Sequence, residues 1–341
     1  MADGSKIEVL ITKDWPETLV ERIRAVSPRL NVRVAPVKKA EDLPADALAQ
    51  CEVFYTDMHF PQPDAMPSLR WLQLHWAGIE YALEYPLLTK ADLAVTTMSG
   101  AAMGQLAEFA LAMMLALGHR LPALVENQTA ADWPVDRLKR YVPQELRGST
   151  VGIIGYGSIG RELARLLQPF DVTVLAAKRD VMHPEDRGYT PPGLGDPEGN
   201  LFRRLYPVEA RGSMIKECDF VVVTVPLTPQ TRGLIGKREF ELMKPNAYLI
   251  DISRGGVVDE AALVDALTTK KIAGAALDVF ATEPLPKNHV FWKLPNMLVT
   301  PHIAISSVHY DRLAAELFMV NLERYLSGLP LYNQFDFDKG Y

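Results

Sequence analysis

At 341 residues the chain is longer than one small core organises, and two domains are the natural expectation. Its 48% hydrophobic and 23% charged residues are those of an ordinary globular protein, which excludes disordered and collagen-like chains. A net charge of −6 offers no basic face for nucleic acid, and two cysteines without a CxxC partner, Cys51 and Cys218, exclude a disulfide framework and a zinc site.

Taken in chain order, IEVLIT (residues 7–12), NVRVAP (31–36), EVFYTD (52–57), LRWLQLHW (69–76) and LAVTTM (93–98) read as strands. Residues 16–26 and 40–50 read as helices between the first three. Such alternation predicts right-handed βαβ units and a parallel sheet. A long helical pattern follows Ser99 and Gly100, with residues 100–104 as a hinge candidate. Its apolar run, residues 106–118, carries Glu108 and is too short to span a bilayer. The opening MADGSKIEVLITKD lacks signal-peptide character, so a cytoplasmic protein without membrane attachment is expected.

A second alternating series begins at STVGIIG (149–155) and runs through DVTVLAA (171–177), CDFVVVTVP (218–226), NAYLIDIS (246–253), IAGAALDVF (272–280) and NMLVTPHI (296–303). These strands are continuously apolar, as in a sheet covered by helices on both faces. Residues 188–200, GYTPPGLGDPEGN, read as a surface loop. The last helix pattern, residues 306–328, stops at Gly328 and Pro330.

Within VGIIGYGSIGRELARLL, Gly155, Gly157 and Gly160 have the G-x-G-x-x-G spacing. The motif follows an apolar strand and opens an amphipathic helix, the context that gives it meaning as a pyrophosphate cradle. The next strand ends in Lys178 and Arg179, where an acid that binds the ribose 2′-hydroxyl is usual. Two cations there suit the extra phosphate of NADP. Asp180 follows them and, with a longer strand, would reach the ribose; a solvated turn is the plainer alternative.

Three polar side chains follow strands of the second series: Arg254 after AYLIDIS, Glu283 in the loop after AGAALDV, and His302 after NMLVT. Open α/β sheets bind ligands at that edge. The trio suits hydroxy-acid dehydrogenation: an imidazole to move the hydroxyl proton, a carboxylate to hold it, a guanidinium for the substrate carboxylate. His289 is the second candidate base, and His75 is either a packed strand-end histidine or part of the substrate pocket.

The ordered segments GIIGYGSIGRELARLL, CDFVVVTVPLTPQTRGLIG, MKPNAYLIDISRGGVVDEAAL, ALDVFATEPLP and LPNMLVTPHIA resemble those of the D-isomer-specific 2-hydroxyacid dehydrogenases. The resemblance spans most of residues 151–304. It implies two doubly wound parallel-sheet α/β domains: a flavodoxin-like substrate domain (1–101 and 304–341) and an inserted Rossmann dinucleotide-binding domain (102–303). It implies His302 as acid and base, Glu283 as its partner and Arg254 as the carboxylate anchor. The cofactor would touch Gly155, Tyr156, Gly157, Ser158, Ile159, Gly160, Lys178 and Arg179, with Asp278 on the nicotinamide amide and Thr224, Val225 and Pro226 beneath. Ile252, Ser253, Arg254, His302 and Ala304 are also placed among the cofactor-binding residues. Trp76, Ala77, Gly78 and Ile79 would join Arg254 and His302 at the substrate, their amides forming a small anion nest.

NADP is the expected cofactor, with NAD as the alternative. The substrate would be a small 2-oxo or 2-hydroxy acid, with glyoxylate or hydroxypyruvate among the candidates, bound in a cleft that closes by a hinge. Trp76, Trp133, Met103 and Trp292 are candidates for shaping the side-chain pocket. A homodimer is implied, with the helix near Met103 at the contact. Residues 188–211 are longer than the family's usual link and read as a surface insertion. A dinucleotide-sensing corepressor of the same fold is the alternative from another class.

Overall fold

The structure, a computed structural model, describes residues 6–340. The chain divides into two compact units, one built from the chain up to Ala102 and from Ser307 onward, the other from Met103–Ser306. The second is thus inserted into the chain of the first.

The first unit carries five parallel strands, β1 (Ile7–Ile11), β2 (Leu30–Val34), β3 (Val53–Thr56), β4 (Trp71–Leu74) and β5 (Ala94–Thr96). Their order, β2-β1-β3-β4-β5, reverses between β1 and β3 in the flavodoxin manner. Helix α1 (Glu17–Ala25) turns Val20 and Ile23 inward. The returning helix Tyr310–Leu326 buries Leu317 and Phe318, and the Phe318 ring lies 4.9 Å from Tyr55 and 5.3 Å from Trp71. The helix expected over residues 40–50 is two pieces, a 3-10 turn at Ala40–Asp42 and α2 (Ala45–Gln50). Pro44 separates them, because its ring and missing N–H cannot continue a helix but can begin one.

The second unit opens with α3 (Met103–Gly118), α4 (Leu121–Ala130) and α5 (Arg137–Arg140). The expected single long helix ends at Gly118, and Arg120 has a left-handed backbone with φ 54°. The apolar side of α3, Ala107, Ala110 and Met114, is buried in the unit's own core. Seven parallel strands follow: β6 (Thr150–Ile154), β7 (Thr173–Lys178), β8 (Arg204–Pro207), β9 (Phe220–Val223), β10 (Tyr248–Asp251), β11 (Gly274–Leu277) and β12 (Met297–Val299). They lie in the order β12-β11-β10-β9-β6-β7-β8, a dinucleotide-binding sheet with one added strand. Helices α6 (Ser158–Leu167), α7 (Arg211–Ile215), α8 (Lys237–Leu242) and α9 (Glu260–Thr268) complete it. Every residue of β9, β10 and β11 is buried, which accounts for their unbroken apolar sequences.

Three expectations change here. Strand β8 lies inside the stretch read as a loop; it is a short edge strand with an exposed arginine and a terminal proline, too weak to announce itself. The surface loop 188–200 is partly buried at Gly195, Asp196 and Gly199. Arg161 of α6, 1% exposed, causes this by donating to the carbonyls of Asp196 (2.7 Å) and Pro184 (2.5 Å). The Tyr156 hydroxyl also donates to the Asp196 carboxylate at 2.7 Å, and Glu162 accepts from the Gly195 amide at 2.7 Å. Finally, the return to the first unit falls after Ser306 and not at 304, because the amides of Ile303 and Ala304 are bound to Asp278.

Candidate active site

The phosphate turn is built by backbone approach. Gly155 has φ 106°, and its carbonyl accepts from the Thr224 hydroxyl at 2.7 Å. A Cβ on Gly160 would stand 2.5 Å from the Gly155 carbonyl oxygen, so α6 closes on β6 only with glycine there. A Cβ on Gly157 would meet nothing within 4 Å. It would point into open space at the N-terminus of α6, where free N–H groups favour an anion. Turn and helix therefore fit a pyrophosphate. The Tyr156 side chain is 1% exposed and its ring stands edge-on to Phe202, so only its backbone belongs to the cradle. Val225, Ile252, Ser253 and Ala304 are buried beneath the same sheet edge, while Pro226 is exposed; Ser158 and Ile159 are half-buried.

At the end of β7 lie the two cations. Lys178 is the last strand residue, half-buried, and donates to the carbonyl of His183 at 2.5 Å. Burial and the Arg161 charge hold its ammonium below the usual lysine range. Arg179 is exposed. Asp180 is engaged within its own turn, 2.7 Å from the His183 imidazole and 3.1 Å from the Met182 amide. The imidazole bond holds its carboxyl below the usual range.

At the far strand ends, Glu283 divides its carboxylate. Oε1 accepts from the Phe280 amide at 2.9 Å, and Oε2 meets Nδ1 of His302 at 2.7 Å. That contact assigns the Nδ1 proton to the glutamate side and leaves Nε2 for chemistry. His302 has a left-handed backbone, φ 52°, which costs energy for a non-glycine residue and persists where neighbours over-determine it. Asp278 supplies that restraint, accepting from the Thr300 hydroxyl (2.6 Å) and the amides of Ile303 (3.0 Å) and Ala304 (2.9 Å). Its carboxylate is 2% exposed and bound to the loop that bears His302, a role the sequence did not suggest.

Arg254 stands on the turn after β10. Its Nη1 donates to the Ser253 carbonyl at 2.8 Å, and the side chain is half-buried. The next residue ties this turn to Glu283: Gly255 presses on the Phe280–Ala281 backbone. Glu260, at the start of α9, fastens the same loop by accepting from the Ala281 amide at 2.6 Å. His289 faces Glu260 at 3.8 Å and caps the following 3-10 turn, so the second candidate base is a structural residue. Trp292 donates to the Pro286 carbonyl, Met103 is 1% exposed, and Trp133 is 80% exposed.

In the first unit, Trp76, Ala77 and Gly78 form a half-buried bend after β4, and Ile79 is buried. Trp76 stacks on Tyr310, ring centroids 5.3 Å apart, and the Tyr310 hydroxyl donates to the His75 carbonyl at 2.7 Å. His75 is 1% exposed and held 2.6 Å from the Tyr55 hydroxyl. It is the packed histidine of the two alternatives. Among the described residues no group of three or more His, Cys, Asp or Glu is placed to hold a metal, and no single helix is long and apolar enough to cross a membrane.

A doubly wound dinucleotide sheet with an acid-held histidine and an arginine turn defines a dehydrogenase of the hydroxy-acid class. Comparison with known proteins agrees. The sequence pattern of the D-isomer specific 2-hydroxyacid dehydrogenase, NAD binding domain, matches residues 111–304. A glyoxylate reductase of Thermofilum pendens is 34% identical over 266 residues, 78% of this chain and 74% of that one. A glyoxylate reductase of Thermococcus litoralis is 30% identical over 95% of each chain. Among solved structures, a D-isomer specific 2-hydroxyacid dehydrogenase from Xanthobacter autotrophicus Py2, in complex with NADPH and MES, superposes with a TM-score of 0.79. It is 28% identical and covers 99% of this chain and 100% of that one. The chain belongs to the D-isomer specific 2-hydroxyacid dehydrogenase family, oxidoreductases that use a nicotinamide dinucleotide. The corepressor alternative is not favoured, since these relatives are named as enzymes.

Proposed function

We propose that the protein reduces glyoxylate, hydroxypyruvate or a similarly small 2-oxo acid, with NADPH preferred over NADH. The observation that carries this reading is the 2.7 Å contact between Glu283 and His302. A bound nicotinamide dinucleotide supplies the hydride to C2. Nε2 of protonated His302 gives its proton to the C2 oxygen, so the carbonyl becomes an alcohol and the imidazole is left neutral. Glu283 keeps the Nδ1 proton in place throughout and stabilises the charged ring. Arg254 binds the substrate carboxylate and draws electron density from the carbonyl. With a 2-hydroxy acid the same groups run in reverse, neutral His302 taking the hydroxyl proton.

The cofactor preference is supported by Lys178 and Arg179 at the end of β7 and by the engagement of Asp180 with His183. With its carboxylate engaged by His183 and the Met182 amide, Asp180 is a weaker acceptor for a ribose 2′-hydroxyl. Relatives named as glyoxylate reductases support the substrate class. We also propose a homodimer. The segment from α4 to α5 exposes Leu121, Val125, Trp133, Val135 and Leu138, apolar side chains that a second copy would cover. Oxidation of NADPH and NADH with a panel of 2-oxo acids tests the reaction. A protein that binds dinucleotide yet turns over none of them refutes the proposal. Light scattering tests the dimer.

A further inference from the structure

The turn after β7 closes on itself through one imidazole. Nδ1 of His183 donates to Oδ2 of Asp180 at 2.7 Å, and the other carboxylate oxygen accepts from the Met182 amide at 3.1 Å. The main chain of the same histidine is also held: its carbonyl accepts from the Lys178 ammonium at 2.5 Å. His183 therefore touches both the cation and the acid that compete at the end of this strand.

An exposed pair of this kind is weak when two free side chains must lose their freedom to form it. Here the turn is fixed from behind. The next carbonyl, that of Pro184, accepts from the guanidinium of Arg161, a side chain 1% exposed, at 2.5 Å. A Cβ on Gly199 would stand 2.2 Å from that same oxygen, so the chain of residues 196–200 packs directly on the turn. The imidazole thus projects from backbone that is already ordered, and pairing with Asp180 costs it less entropy.

We infer that His183 is a specificity-determining residue for the dinucleotide, withdrawing the Asp180 carboxylate from the ribose 2′-hydroxyl that it would otherwise bind. The inference rests on the proposed preference for NADPH. An acid within reach of a free 2′-hydroxyl is what favours NADH, and NADPH offers no such hydroxyl because its 2′-oxygen carries the phosphate. Occupying the acid therefore weakens the hold on NADH and leaves NADPH without an equivalent loss.

The test measures dissociation constants of NADPH and NADH by isothermal titration, a readout independent of the substrate. It compares full-length wild type, His183→Ala, and the double variant His183→Ala with Asp180→Ala. His183→Ala frees the carboxylate, so NADH binds about tenfold more tightly, the value of one hydrogen bond to a charged group. NADPH does not gain. A tighter complex is a result that a loosened fold would not produce. In the double variant the acceptor is gone, and NADH affinity returns to within about twofold of wild type. An NADH affinity unchanged or weakened in His183→Ala, or a gain that survives the loss of Asp180, overturns the inference. A wild type that binds NADH more tightly than NADPH refutes the cofactor preference itself, and the inference falls with it.

Discussion

Gly255 and Phe280 touch through their backbones: a Cβ built on Gly255 would lie 1.8 Å from the Phe280 carbonyl oxygen and 2.8 Å from the Ala281 nitrogen. This contact joins the turn that bears Arg254 to the loop that bears Glu283. Both partners are main chain, so no side chain can swing aside to make room. Gly255→Ala should therefore displace the two functional loops, lowering stability by about 3 kcal/mol, the upper part of the overpacking range. An unfolding midpoint equal to wild type would contradict the packing described.

Gly157 provides the opposite case. Its Cβ would enter open space at the start of α6, so alanine there leaves the fold intact and obstructs only what binds. Gly157→Ala is expected to keep its melting temperature while NADPH affinity falls at least about tenfold. Isothermal titration of folded variant and wild type checks this, and equal affinities would remove the phosphate from that turn.

His302→Ala should lower kcat by about 10²–10⁴, the usual cost of losing a positioned acid–base group. Glu283→Gln should cost less, because the amide oxygen can still accept from Nδ1 while the charge that favours the protonated ring is lost. Steady-state rates of NADPH oxidation measure both. A glutamine variant as slow as the alanine variant would mean that Glu283 does more than hold the ring.

Lys178→Asp reverses a charge at the end of β7. It should reduce kcat/KM with NADPH at least about tenfold more than with NADH, since an added carboxylate repels a 2′-phosphate and can accept from a 2′-hydroxyl. Parallel losses with the two dinucleotides would dissociate Lys178 from cofactor choice.

His75 makes stability depend on pH. Burial, with the Lys13 charge adding to it, lowers its pKa to about 4. The buried Tyr55 hydroxyl keeps its proton well beyond its usual pKa and donates to Nδ1, so the folded state holds His75 neutral. An unfolded histidine titrates near 6.5, so the unfolded chain binds the extra proton first as pH falls. The stability is fully present above about 6.5, declines toward pH 4, and levels off below, a loss on the order of 3 kcal/mol. Denaturant midpoints between pH 4 and 7 should show this slope, and His75→Gln should flatten it.

Local spacing made much of the dinucleotide unit readable. The glycines of residues 155–160 act within one turn, and the apolar strands beside them need no distant partner to be recognised. Arg254, Glu283 and His302 were legible because each follows such a strand. Strand β8 and the tethering of residues 188–200 were not, since a short edge strand and a loop held by Arg161 carry no periodic signal of their own.

From its own order of residues the chain determined two α/β units, the phosphate turn and the three side chains proposed to react, because turn chemistry and hydrophobic period are properties of neighbours in sequence. Only the tertiary structure decided that Asp278 clamps the His302 loop and that the Asp251 carboxylate holds Ser253. Those roles come from β10 and β11 lying side by side, with the Asp278 amide on the Asp251 carbonyl at 3.0 Å. Strand adjacency brings groups about 5 Å apart across a sheet while tens of residues separate them along the chain, and no local pattern encodes that meeting.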